Sequence, residues 1–220
     1  MFEEIKYYFL TTYRRKALDK ALNEYQYLFK GNVLDIGGGK KDGKFKHPRT
    51  KKWIVVDIDK KTKPDIVASV AKLPFKDESF DTVKATELFE HVDNYEKGFS
   101  ECVRVLKKRG HLIISSPFMY PLHPDPNDYQ RVGREKWESL AKINKLKIEI
   151  FEEQGYFFTL ISEILRAAIT NMPWILLRYP LYLLFPFFDL LTYLDSTILV
   201  QNSKFLKSYV CGYFIFFKKS

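Results

Sequence analysis

Val33-Leu34-Asp35-Ile36-Gly37-Gly38-Gly39 is the stretch that decides the fold. A short apolar run closed at once by glycines reads as a buried strand that turns sharply at its carboxyl end. Upstream, Leu18, Leu22 and Leu28 recur among Arg14, Arg15, Lys16, Asp19 and Lys20, which predicts a helical segment over about residues 3–30, ended by Gly31. Downstream, further strands are expected at Trp53–Val56, closing on Asp57, and at Asp65–Val67, Phe80–Ala85 and Leu112–Ile114. Phe99, Cys102, Val103 and Leu106 fall at i, i+3, i+4 and i+7, one apolar stripe on a helix that Gly110 is expected to close. Short apolar strands alternating with helices predict an α/β, doubly wound, mostly parallel sheet. In that architecture ligands bind beyond the carboxyl ends of the strands, where strand order reverses. The chemistry is therefore expected just after Ile36, Val56, Ala85 and Ile114.

Glycines after the first strand let a ligand approach the backbone closely. Asp57 ends the next strand, where a carboxylate can accept from both hydroxyls of a ribose. A dinucleotide loop, G-x-G-x-x-G, would need glycine at position 42, where Asp42 stands, with Gly43 one place late. Asp35 and Asp42 would both repel a pyrophosphate. They suit a cofactor with a positive charge and no phosphate, and S-adenosyl-L-methionine offers a sulfonium, an ammonium and a ribose diol.

Residues 33–39 resemble motif I of class I S-adenosylmethionine-dependent methyltransferases. Ala71-Lys72-Leu73-Pro74-Phe75 with Asp77-Glu78-Ser79-Phe80-Asp81 resembles the A-x-LPF-x-D-x-SFD signature of the type 11 branch, which includes ubiquinone/menaquinone methyltransferases. Glu87-Leu88-Phe89-Glu90-His91-Val92 resembles its E-x-x-EHV stretch, and Val103 to Leu112 its RVLKPGG-x-L join; together these cover about residues 31–118. The resemblance implies a Rossmann-like seven-stranded sheet with an antiparallel last strand, and a methyltransferase. Asp35, Gly37, Gly38 and Gly39 would cradle the methionine end of the cofactor. Asp57 would hold the ribose, Ile58 would lie on the adenine, and Ser69, Val70 and Thr86 complete the expected cofactor set. Ser69 stands where the family often has an aspartate facing the adenine amine, and Lys41 occupies the third glycine position.

Methyl transfer from a sulfonium is an in-line displacement, so positioning does much of the work and a base serves only a protonated acceptor. The segment from Ser115 to Arg131 carries four prolines, which forbid regular structure, and brings His123, Asp125, Asp128, Tyr129 and Arg131 to the edge of the site. It resembles a P-x-H-x-x-P-x-DY-x-R loop of methyltransferases found near polysaccharide assembly. His123 is the expected acceptor-side base; His91 is the second catalytic candidate, although a hydrogen-bonded helix-start role is the favoured reading for it. Glu87, Glu90, His91 and His123 also have a spacing that holds a divalent metal in some relatives, although no metal is expected here.

The chain has 220 residues and a net charge of +9. It is 46% hydrophobic and 29% charged, values that exclude disorder and collagen-like repeats. Cys102 and Cys211 make neither a disulfide framework nor a zinc pattern. A single methyltransferase domain is expected over 1–220: an N-terminal helical segment (1–30), a cofactor-binding core (31–155), an apolar helical insertion (156–205) and a final strand (206–220). From Lys40 to Lys52, 7 of 13 residues are Lys or Arg. A solvated face is the expected reading, and nucleic acid is not an expected partner. Phe157 to Val200 should make several short helices that serve as a cap over the acceptor pocket, a homodimer interface or an in-plane membrane contact. Arg178, Asp189 and Asp195 and three prolines are expected to keep it from spanning a bilayer. Charge in Met1 to Lys6 argues against a signal peptide, so a cytoplasmic protein, peripheral at a membrane if the insertion binds lipid, is expected. The acceptor is expected to be a small-molecule, saccharide or lipid-linked species. The alternatives are a non-catalytic binding protein on the same scaffold, and an RNA methyltransferase using residues 40–52.

Overall fold

The computed structural model describes residues 2–38, 44–123 and 127–220. Its chain forms two compact units, Leu18–Glu152 with Tyr213–Ser220, and Met1–Ala17 with Glu153–Gly212.

The first unit is built on a seven-stranded sheet. Its strands are β1 (Asn32–Ile36), β2 (Lys52–Asp57), β3 (Ile66–Val67), β4 (Phe80–Thr86), β5 (Leu106–Pro117), β6 (Leu146–Gln154) and β7 (Gly212–Lys219). They lie in the order β3-β2-β1-β4-β5-β7-β6. β3, β2, β1, β4 and β5 pair in parallel, while β7 runs antiparallel beside β5. Strand order reverses between β1 and β4, which opens a crevice at their carboxyl ends, as the alternating pattern predicted.

The helices are α1 (Phe2–Leu10), α2 (Tyr13–Glu24), α3 (Tyr95–Val105), α4 (Arg134–Ile143), α5 (Phe157–Thr170), α6 (Ile175–Leu181), α7 (Phe185–Thr192), α8 (Ile198–Gln201) and α9 (Lys204–Lys207). Period-two alternation sends Phe214 and Phe216 to one sheet face, where they cluster with Val33, Ile113 and the α2 residues Leu18 and Leu22. Phe217 emerges on the other face and meets Phe99 of α3 edge-on, with ring centroids 5.6 Å apart; Phe99 in turn meets the fully buried Trp137 of α4.

Two local expectations are corrected. Residues 3–30 are not one helix: Thr12 Oγ1 accepts from Arg15 N at 3.1 Å, an N-terminal cap that starts α2 afresh. Gly110 does not close α3, which ends at Val105 with β5 beginning at Leu106. Phe80 pairs with Leu106 but Thr82 with His111, so Lys107 to Gly110 form a bulge. There a Cβ on Gly110 would fall 2.8 Å from the Lys107 carbonyl oxygen, which is why glycine stands at that place.

The second unit gathers α1 and α5 to α9. Ile169, Phe185 and Phe188 form its core, with Tyr8 and Phe9 of α1 packed on them. Arg166 is buried; its guanidinium carbon lies 4.0 Å from the Phe185 ring centroid, and it donates to the Tyr8 carbonyl. Asp189 accepts from the Tyr8 and Tyr13 hydroxyls at 2.5 and 2.6 Å. Asp195 caps α5 by accepting from the backbone N–H groups of Tyr156, Phe158 and Thr159. Phe157 to Val200 makes several short helical elements, as expected, but they follow one another without a break over part of it. Ile175–Ser196 is a continuous helical stretch of 22 residues, long and apolar enough to cross a membrane by length and composition. Pro186 occupies the first turn of α7, where a missing N–H costs little, while Pro180 lies inside α6.

Candidate functional site

The crevice begins with the turn after β1. Gly37 has φ +72°, a conformation that favours glycine, and its N–H donates to the Val56 carbonyl at 2.8 Å, tying the turn to the end of β2. A Cβ on Gly38 would lie 2.4–2.6 Å from the Asp35 carboxylate atoms, so that position has no room for a side chain. Gly39, with Lys40 to Gly43, lies outside the described residues.

Beneath the turn sits a buried ion pair. The β1–β4 register sets Asp35 directly opposite Lys84. Lys84 Nζ lies 2.9 and 3.1 Å from the two Asp35 oxygens, both side chains 1% exposed, and Trp53 Nε1 donates to Asp35 Oδ2 at 3.3 Å. Asp35 is thus turned into the protein below the glycines. Sequence reasoning missed Lys84, although a lysine between Val83 and Ala85 in a central strand was the available signal.

On the β2 side, Asp57 is partly exposed and accepts from the Asp59 N–H at 2.8 Å; Ile58 beside it is 68% exposed. Ser69 Oγ accepts from the Ala71 N–H at 3.2 Å. Val70 turns its side chain toward α3, where its Cγ1 would lie 3.1 Å from a Cβ at Gly98. At the end of β4, Thr86 pairs with Ser115 of β5, and Ser115 Oγ donates to Glu87 Oε1 at 2.5 Å.

The proline-rich loop after β5 is stitched onto residues 89–92. Tyr129 N donates to the Glu90 carbonyl at 2.8 Å, and Gln130 Nε2 donates to the carbonyls of Phe89 and Val92. Pro124, Asp125 and Pro126 lie outside the described residues. Arg131 grips Asp128 with both terminal nitrogens, which holds the Asp128 carboxyl well below the usual carboxylate range. Asp128 Oδ2 accepts from the His123 N–H at 3.0 Å and lies 3.4 Å from its Nδ1, and the Pro121 carbonyl stands 3.1 Å from that same nitrogen. Two acceptors facing Nδ1 favour a ring proton on that nitrogen over Nε2. His91 meets His123 edge to face at 5.2 Å; its Nδ1 lies 2.6 Å from the Asn127 carbonyl and its Nε2 3.9 Å from Glu90 Oε1. Glu90, His91 and His123 each bring one ligand atom within 4.8 Å of the others, a set able to hold a metal ion, whereas Glu87 is turned to Ser115. The pairing of Asp128 with His123 and Arg131 was also missed, its only sequence signal being their closeness in one loop.

Residues 34–114 match the model of the family described as "Methyltransferase domain". Uncharacterized protein MJ1123 of Methanocaldococcus jannaschii is 41% identical over 93 residues, 39% of this chain. The chain spans less than half the length of the curated relatives it matches, 21% and 44%. Among solved structures, a SAM dependent methyltransferase from Archaeoglobus fulgidus superposes with TM-score 0.54 at 20% identity, covering 100% of both chains. A geranyl diphosphate methyltransferase in complex with SAM superposes with TM-score 0.59 at 12% identity, covering 93% of this chain and 85% of that one. At such identities the likeness establishes the fold. Residues 34–114 thus match a methyltransferase domain of type 11, and the chain around them has a Rossmann-like fold.

Proposed function

We propose that the protein transfers a methyl group from S-adenosyl-L-methionine to an oxygen or nitrogen atom of a small-molecule, saccharide or lipid-linked acceptor. The observation that carries this reading is the group at the carboxyl ends of β1 and β2: a glycine turn with no space for a side chain, next to the Asp57 carboxylate and the exposed Ile58. These residues fit the cofactor. The turn admits backbone contact with its amino-acid end, Asp57 accepts from its ribose hydroxyls, and Ile58 offers an apolar wall to its adenine. Asp35 serves from below, holding Gly38 through its bond to Lys84.

When bound, the cofactor supplies an electrophilic methyl on a sulfonium. The chain's own part is to position and to take a proton. His123 Nε2 accepts the proton of the acceptor O–H or N–H, Asp128 holds the ring and favours the imidazolium, and Arg131 fixes Asp128 in place. Such a base contributes about 10²–10⁴-fold. His123→Ala should therefore lower kcat by about that factor in an acceptor screen with labelled cofactor, leaving cofactor affinity by calorimetry unchanged. Unchanged turnover would remove His123 as the base. Absence of any heat with S-adenosyl-L-methionine at millimolar concentration would favour a non-catalytic scaffold.

A further inference from the structure

The helical stretch Ile175–Ser196 has two apolar faces and only one of them is covered. Phe185 and Phe188 point into the core of their unit. Leu176, Tyr179, Leu183, Phe187 and Leu190 recur every three or four residues, so they share the opposite face. All five are exposed, Leu176 at 92% and Leu183 at 81%. Only 11% of the most apolar part of the stretch is buried within the protein. A helix apolar all round belongs in a core or against lipid, and an exposed apolar band of this extent marks an interaction surface.

Charge selects the partner. Between residues 157 and 212 the acidic side chains are Glu163, Asp189 and Asp195. Each is taken up inside the unit: Glu163 by the Tyr13 N–H, Asp189 by two tyrosine hydroxyls and Arg166, Asp195 by the start of α5. Of the four cations in the same span, Arg166 is buried, and among the described residues none of Arg178, Lys204 and Lys207 pairs with a carboxylate. The segment therefore shows solvent apolar side chains and positive charge. Trp174, 69% exposed, and Tyr179 are the amphipathic aromatics that settle at a headgroup boundary. A second copy meeting this one through the same segment would bring the same cations and no unengaged carboxylate.

We propose that this face docks the protein onto an anionic phospholipid bilayer, lying in the interface plane with its apolar stripe among the acyl chains and its cations at the headgroups. It does not cross, because Phe185, Phe188 and Arg166 hold the other face of the stretch within its own unit. The inference stands apart from the methyl-transfer reading and uses none of its residues.

The test is co-sedimentation of the full chain with phosphatidylcholine vesicles, with and without phosphatidylglycerol, at low and high salt. Binding should favour the anionic vesicles and weaken with salt, and Leu176→Glu with Phe187→Glu should reduce partitioning about tenfold or more. Bromine-labelled lipids should quench tryptophan fluorescence in the unaltered protein, and Trp174→Phe should abolish that quenching, a readout independent of how the glutamate variant folds. Three results would overturn the proposal: no binding to either vesicle; a dimer in light scattering that the glutamate variant dissolves, without vesicle binding; or resistance to alkaline carbonate extraction, which would mean a span.

Discussion

Replacing Lys84 by Met tests how the glycine turn is held. Lys84 and Asp35 face each other across paired strands, each 1% exposed, with Nζ at 2.9 and 3.1 Å from the two oxygens. Removing one member of such a pair leaves the other charge in a poorly solvated interior, which costs about 3–5 kcal/mol, whereas replacing both by uncharged groups of similar size is often neutral. Against a domain stability of roughly 5–15 kcal/mol, the single loss should show as a large drop in the urea midpoint at unchanged slope. Adding Asp35→Asn keeps an acceptor for Trp53 and should recover most of it, giving a coupling of about 2 kcal/mol or more in the double-mutant cycle. Calorimetry with S-adenosyl-L-methionine on the same four proteins should follow stability, lost in the single variant and regained in the double. A Lys84→Met cost below about 1 kcal/mol, the size of an exposed pair, would refute the reasoning. So would a double variant that regains stability but not affinity, since the Asp35 carboxylate would then touch the cofactor itself.

Gly38→Ala would push a methyl group onto an Asp35 carboxylate that Lys84 prevents from moving, so a loss of about 1–3 kcal/mol in urea unfolding and weaker cofactor binding are expected; wild-type values for both would show that the turn has slack. Burial raises the pKa of Glu163, so as pH climbs from the unfolded value of about 4.3 to the higher folded one the unfolded chain releases its proton first and stability falls. Thermal melts should show that fall in the wild type and not in Glu163→Gln, and parallel curves would rule out Glu163 as its source.

The fold was legible where local pattern and global architecture agree. Val33 to Ile36 and Trp53 to Val56 are continuous apolar runs because parallel strands are covered on both faces. The reading slipped where a short-range signal was satisfied by a distant partner. Gly110 looks like a helix terminator, yet what requires glycine there is the close approach of the Lys107 carbonyl and of the Asp81 backbone on another strand. Thr12 acts through a single hydrogen bond that no apolar periodicity reports.

The same distinction separates the legible part of the site from the rest. The placement of Asp57 and Ile58 could be read because it depends on position alone, at the end of a strand beside a glycine turn. The ion pair beneath that turn could not, since its members lie 49 residues apart and become neighbours only through the β1–β4 register. His123 shows a third case. Its candidacy came from residue type, but its competence as a base depends on which nitrogen carries the proton, and that is decided by the Pro121 carbonyl and by an Asp128 kept ionised by Arg131. A histidine without such acceptors on Nδ1 would divide its proton between two nitrogens. In the proposed reaction the Pro121 carbonyl and the Arg131–Asp128 clamp therefore matter as much as the imidazole does, because they favour a tautomer that the histidine alone does not choose.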